Sequence, residues 1–147
     1  MKPLSVYIHI PFCEKRCGYC DFVSCTHTEN IDQYLTRLCA EMHNFNFDNY
    51  KIKTIYIGGG TPSLLTPEQL KKIITCLPIC HGEITLEANP NSITRAKCEA
   101  YRGLGINRLS LGVQSFDLDA LRDLGRLHDV KQAVAAIELA HEYFEYL

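Results

Sequence analysis

No stretch of this 147-residue chain is long and apolar enough for an export signal or a membrane span. Met1-Lys2-Pro3 leads into a short run that is broken by His9 and Pro11. With no such segment, the chain is expected in the cytoplasm. A surplus of charge of either sign is also missing. Fifteen Lys and Arg are interspersed with seventeen Asp and Glu, for a net charge of −2. That excludes the basic groove a polyphosphate ligand needs, so no nucleic-acid partner is expected. Internal repeats, low-complexity tracts and linkers are absent as well, and the chain reads as one domain of a size that supports one core. Finally, the glycine run carries no phosphate-loop lysine and no G-x-G-x-x-G spacing, which excludes a nucleoside-triphosphate site.

Cysteine, by contrast, is abundant, at eight residues. In a secreted chain these would suggest disulfides; without an export signal they are expected to be reduced thiols. They fall into two groups. Cys39, Cys76 and Cys98 sit among the apolar positions of candidate helices and read as small buried hydrophobes, with Cys25 and Cys80 scattered elsewhere. Cys13, Cys17 and Cys20 are packed as C-x3-C-x2-C just after the apolar run Val6–Ile10. Three thiolates can hold three irons of a four-iron cluster and leave the fourth open to a ligand, which makes a site for chemistry rather than simple electron transfer. Zinc is the alternative, but it would have to recruit Cys25 or His27 to complete four ligands. Lys15 and Arg16 would favour thiolates, or are solvated loop charges. Phe12, Tyr19 and Phe22 would shield the centre from water, or belong to the core.

Short β-rich runs alternate with helical stretches. Strands are expected at Val6–Ile10, Ile52–Ile57, Glu83–Glu87 and Arg108–Val113. The first helix carries an apolar stripe from Ile31 to Phe45, with Asn30 and Gln33 as its N-cap pair. Thr66-Pro67-Glu68-Gln69 is a capping box with proline at the first helical position, and Pro78 stops that helix. A third helix runs from Thr94 to Leu104, with Gly105 as its left-handed cap. Helical segments Leu118–Leu124 and Lys131–Tyr143 follow, broken near Gly125. Four β-then-α units in series imply an α/β fold with parallel strands. Four parallel strands do not close a barrel, and Phe144–Leu147 reads as the start of a fifth, so a truncated product or fragment is expected.

The unusual residues fall at strand ends. The cysteine loop follows the first strand, and Gly58-Gly59-Gly60-Thr61-Pro62 follows the second. Glu87, followed by Ala88-Asn89-Pro90, ends the third strand. Gln114 ends the fourth, with Arg126 beyond it. In parallel α/β folds these ends share one rim, where active sites are built. Three consecutive glycines let a ligand approach the backbone and meet bare N–H groups. Glu87 shares the inward phase with Thr85 and needs a partner: a ligand hydroxyl or ammonium, or a core arginine such as Arg108. His9, inside an apolar strand, reads as a satisfied core histidine.

Taken together, Tyr7-Ile8-His9-Ile10-Pro11-Phe12-Cys13 through Cys17-Gly18-Tyr19-Cys20-Asp21-Phe22, the glycine run, Glu87–Pro90 and Asn107–Phe116 resemble the radical S-adenosylmethionine (SAM) proteins. More narrowly, they resemble the oxygen-independent coproporphyrinogen III oxidase-like group, in order and spacing over nearly the whole chain. The resemblance implies a partial (β/α) radical SAM barrel, about four units of six, with residues 1–147 as the N-terminal part of the core domain. It implies a [4Fe–4S] cluster on Cys13, Cys17 and Cys20, with SAM on the open iron. Tyr7 and Tyr19 would contact SAM beside the cluster, and Gly59, Gly60 and Thr61 would line its methionine part. Glu87, Gln114 and Arg126 would hold its other polar groups, with Arg126 on the carboxylate. An electron from the reduced cluster would cleave SAM to a 5′-deoxyadenosyl radical, which also implies an electron donor as partner.

Two branches of the group differ in ways visible here. The dehydrogenases carry a further cysteine two residues after the third cluster cysteine, where this chain has Phe22. They also have a longer segment before the Tyr-x-His-Ile-Pro motif. Both departures make the chain more similar to the heme chaperone-like branch, which handles heme rather than oxidising a porphyrinogen. In that branch the heme-binding region and the last part of the SAM pocket lie beyond the stretch matched here. The alternatives are a coproporphyrinogen dehydrogenase, a non-functional fragment of either protein, or a structural zinc module, which leaves the glycine loop and Glu87 unexplained.

Overall fold

The computed structural model describes residues 1–147. Four strands, β1 (Lys2–Ile10), β2 (Tyr50–Gly59), β3 (Glu83–Ala88) and β4 (Arg108–Leu111), form one parallel sheet in the order β1-β2-β3-β4. Helices α1 (Ile31–Asn44), α2 (Pro67–Thr75) and α3 (Arg95–Gly103) make the three crossovers, and α4 (Leu118–Asp123) and α5 (Val130–His141) follow the last strand.

The strands alternate, and the alternation sorts the two faces. Ile8 and Ile10 of β1, Ile55 and Ile57 of β2, Ile84, Leu86 and Ala88 of β3 and Leu109 of β4 are all buried. They pack against Leu35 and Met42 of α1, Leu70 and Ile73 of α2 and Tyr101 of α3. Full burial of a side chain such as Ile57 contributes about 1.5–3 kcal/mol. The opposite face carries Tyr7, Tyr56, Thr85, Glu87 and Ser110, the polar phase of the same strands. β2 is irregular in one place. Leu4 pairs with Ile52 but Ser5 pairs with Thr54, so Lys53 is an extra, bulged residue. A one-residue bulge reverses the side-chain phase, which is why Ile52 and Ile55, three apart, both point into the core.

β1 and β2 extend beyond their expected ends. The added part of β1 contains Pro3, which is tolerated because β1 is an edge strand. β4 instead ends early, at Leu111: Val113 N–H turns back to the Leu111 carbonyl at 3.0 Å. Gln114 therefore lies in the following turn, with a left-handed φ of 70°. The capping box at Thr66 forms as expected, and Gln69 Nε2 also reaches Asp32 Oδ1 on α1 at 2.9 Å. Asn30 does not cap α1. A short 3₁₀ turn over Thr28–Asn30 leads into the helix and leaves the Asn30 side chain without a cap bond.

Gly105 adopts its left-handed conformation, with φ 88°. Phe144 is buried, and Tyr146 makes a parallel bridge to Arg108, its carbonyl accepting from Leu109 N–H at 3.2 Å. The last residues thus begin a fifth pairing beside β4. Of the helical cysteines, Cys98 is fully buried. Cys39 and Cys76 are half-buried, and both thiols point at the Lys72 carbonyl. No helix is long and apolar enough to cross a membrane.

Candidate functional site at the C-terminal strand ends

The cysteine loop leaves β1 through Pro11 and Phe12 and is clasped at its base. Cys13 N–H donates to the Cys25 carbonyl at 2.9 Å, and Cys25 N–H to the Pro11 carbonyl at 2.7 Å. Cys25 is thus a backbone clasp whose side chain packs against the core. His27 faces Glu29 at 3.0 Å in an exposed pair. Held in these contacts, neither side chain is offered as the fourth ligand that zinc would require. The aromatics divide: Phe12 is core, edge-on to Tyr34 with ring centroids 5.4 Å apart, whereas Tyr19 and Phe22 are exposed on the loop. Lys15 and Arg16 are exposed too.

The glycine run abuts this loop, though not with free donors. Gly60 N–H donates to the Ile10 carbonyl at 2.8 Å and Thr61 N–H to the Phe12 carbonyl at 2.7 Å. Gly59 N–H donates to Glu87 Oε2 at 3.0 Å. The expectation of bare N–H groups is therefore corrected: Gly60 and Thr61 continue sheet-like pairing with β1 and the segment after it, and the Glu87 carboxylate takes Gly59 N–H. Glycine is required here for space and conformation. Gly59 has φ 118°, and a Cβ on Gly60 would lie 2.6 Å from the Phe12 carbonyl oxygen and 3.0 Å from Cys13 Sγ.

Glu87 is held inside the chain. Tyr56 Oη donates to its Oε1 at 2.6 Å while Gly59 N–H occupies Oε2. Arg108 pairs with Glu83 instead, at 3.5 Å, so the core-arginine partner considered for Glu87 is not used. Burial, and then the Glu87 carboxylate, push the Tyr56 phenol above its ordinary value, which keeps it protonated and donating. Tyr7 Oη lies 3.0 Å from His9 Nδ1, and His9 Nε2 lies 2.8 Å from the Val23 carbonyl. A carbonyl can only accept, so Nε2 carries the proton and Nδ1 accepts from Tyr7. His9 is satisfied at both nitrogens.

Arg126 closes the site. Its Nη2 donates to Asn89 Oδ1 at 2.6 Å and to the Gly112 carbonyl. Nη1 reaches Tyr19 Oη at 3.3 Å and Cys17 Sγ at 3.6 Å. Its Nε is buried without a partner. Thr61 Oγ1 donates to Cys13 Sγ at 3.7 Å.

The structure thus brings Cys20, Tyr19, Gly59, Gly60, Thr61, Glu87, Gln114 and Arg126 around one cavity of about 370 Å³. Cys13 and Cys17 line a smaller pocket that shares Cys20, Gly60, Thr61 and Arg126. The larger volume is typical of a small-molecule site. Tyr7 stands outside it, stacked on Tyr56 at 6.1 Å between ring centroids. Tyr56 and Asn89 were not among the expected site residues. Tyr56 could have been found from its strand phase, which is that of Glu87, and Asn89 from its place just past the end of β3.

A carboxylate and a guanidinium across one polar cavity match the ammonium and carboxylate of an amino-acid ligand. The unpartnered Arg126 Nε adds one donor still to be satisfied. Three thiols on one loop beside that cavity suit a cluster with an open iron.

Comparison with known proteins agrees. A family model described as the radical SAM superfamily matches residues 7–146. The heme chaperone HemW of Escherichia coli (strain K12) is 40% identical over 149 residues, spanning 95% of this chain and 39% of that protein. Its counterpart in Bacillus subtilis (strain 168) is 42% identical over 147 residues, spanning 94% and 39%. Among solved structures, coproporphyrinogen III oxidase from Escherichia coli, described as a radical SAM enzyme, superposes with a TM-score of 0.89 at 31% identity. That match covers 99% of this chain and 36% of the enzyme. The chain thus spans about 39% of the length of the curated relatives it matches.

Proposed function

This chain belongs to the radical SAM superfamily, and from that premise we propose that residues 1–147 are the cluster- and SAM-binding N-terminal part of a protein of the heme chaperone type. Membership brings a [4Fe–4S] cluster and SAM as cofactors. Cys13, Cys17 and Cys20 would hold three irons. Glu87 and Arg126 would take the ammonium and carboxylate ends of SAM, with Tyr19, Gly59, Gly60, Thr61 and Gln114 around them, and Tyr7 backing the site from outside the cavity, stacked on Tyr56. The chemistry such a pair supplies is one-electron reductive opening of the sulfonium C–S bond.

The protein's part is to orient and shield. Tyr56 and Gly59 fix the Glu87 carboxylate, Asn89 and Gly112 fix the Arg126 guanidinium, and Tyr19 and Phe22 line the cavity mouth. The observation that carries the reading is the convergence of the cysteine loop, Glu87 and Arg126 on one cavity rim.

The heme chaperone branch is favoured by identities of about 40% to proteins so named and by Phe22 in place of a further cysteine. Heme as cargo and an electron donor as partner belong to this proposal for the whole protein. So does a cytoplasmic setting. Anaerobic reconstitution with iron and sulfide should load about four irons per chain, and Cys17→Ala should remove nearly all of them. Stoichiometric zinc with no brown chromophore would sink the reading.

A further inference from the structure

Asn89 sits between the two groups that touch the cysteine sulfurs, and its amide can be oriented in only one way. Arg126 Nη2 has hydrogens to give and nothing to accept with, so at 2.6 Å it must meet the amide oxygen. The amide nitrogen then faces Thr61 Oγ1, at 3.1 Å, and donates to it. A hydroxyl that accepts from Asn89 has its single proton free, and that proton is directed at Cys13 Sγ, 3.7 Å away. The same guanidinium that Asn89 grips places Nη1 3.6 Å from Cys17 Sγ. One side chain therefore sets two donors onto two cysteine sulfurs.

The rest of the structure holds Asn89 still. Its N–H donates to Ser63 Oγ at 3.3 Å, and its carbonyl accepts from Ser92 Oγ at 2.7 Å. The two serine hydroxyls lie 2.5 Å apart, and Lys97 Nζ donates to the Ser63 carbonyl at 2.6 Å. Ser63, at the centre of this brace, is fully buried, and Ser92 and Lys97 are half-buried around it.

We propose that Asn89 is a positioning residue that raises the reduction potential of the cluster by aiming Thr61 at Cys13 and Arg126 at Cys17. A thiolate that accepts a hydrogen bond carries less negative charge, which favours the reduced cluster. The inference rests on Cys13 and Cys17 being cluster ligands. Its test separates the two ideas, because iron content reports on the ligands and midpoint potential reports on the donors.

The test is a redox titration, followed by electron paramagnetic resonance, of the anaerobically reconstituted 147-residue chain and its variants. Asn89→Ala should keep the native iron content and become harder to reduce. Its reduced-to-oxidised ratio at a fixed potential should fall about tenfold, a shift of ~59 mV for one electron. Thr61→Val removes one donor at nearly constant shape and should give about a threefold fall. Thr61→Ser keeps the hydroxyl and should restore the native potential. An Asn89→Ala cluster with native iron and native potential would overturn the inference while leaving the ligand assignment intact. If Asn89→Ala fails to hold iron, Thr61→Val decides, and a native potential there overturns it equally. A native chain that takes up no iron would sink the ligand assignment and this inference with it.

Discussion

Gly60→Ala should cost the chain several degrees of thermal stability and much of its capacity to hold iron. A Cβ at this position would lie 2.6 Å from the Phe12 carbonyl oxygen, 2.9 Å from its carbon and 3.0 Å from Cys13 Sγ. The backbone there cannot easily move aside. The Phe12 carbonyl accepts from Thr61 N–H at 2.7 Å, Gly60 N–H donates to Ile10, and Cys13 N–H is clasped to Cys25. Forced overpacking of this kind costs about 1–3 kcal/mol. For a chain of this size that corresponds to a fall in Tm of roughly 2–12 °C. The displaced groups include a proposed cluster ligand, so iron uptake should fall with it. Gly18→Ala is the control within the same loop, because a Cβ there meets nothing within 4 Å. Thermal melts and iron analysis of both variants check this. Equal Tm and iron in the Gly60 variant and the native protein would show that the loop has room the structure does not provide.

Glu87→Gln should weaken SAM binding by about 10- to 150-fold. Both carboxylate oxygens accept from the protein, one from Tyr56 Oη at 2.6 Å and the other from Gly59 N–H at 3.0 Å. A glutamine offers one oxygen and one NH2; its oxygen can keep Gly59 N–H, but its NH2 then faces Tyr56 Oη, which must turn its own proton away from this bond. The negative charge proposed to meet the SAM ammonium is lost as well. A hydrogen bond to a charged group is worth about 1.5–3 kcal/mol, and every ~1.4 kcal/mol is tenfold in affinity. The Kd for SAM, measured by equilibrium dialysis on oxygen-free protein, is the readout. An unchanged Kd would remove Glu87 from the ligand's contacts.

Much of this arrangement was legible in the sequence because it follows from local rules. The strands are set by runs such as Ile52–Ile57, and α2 by the Thr66 box with Pro67. Glu87 was identified by falling on the polar phase of an otherwise apolar strand. What was missed depends on partners distant in sequence. The bulge at Lys53 exists only in the pairing of β2 with β1. The donors of the glycine run looked free because their acceptors are distant: Ile10 and Phe12 lie about fifty residues earlier, and Glu87 lies on the next strand. Asn30 has a capping side chain, but the 3₁₀ turn that delivers the chain to α1 leaves it without a cap bond. Gln114 carries no signal of its left-handed φ, since such a backbone is normally glycine's. Asn89 was visible in the motif after β3, yet its role depends on Thr61 and Arg126 arriving from either side.

The most direct test of the account is the electron paramagnetic resonance spectrum of the reduced, reconstituted chain before and after addition of SAM. An iron free of protein sulfur and open to the cavity predicts a [4Fe–4S] signal whose shape changes when SAM is added. A signal indifferent to saturating SAM would contradict the open iron beside Glu87 and Arg126.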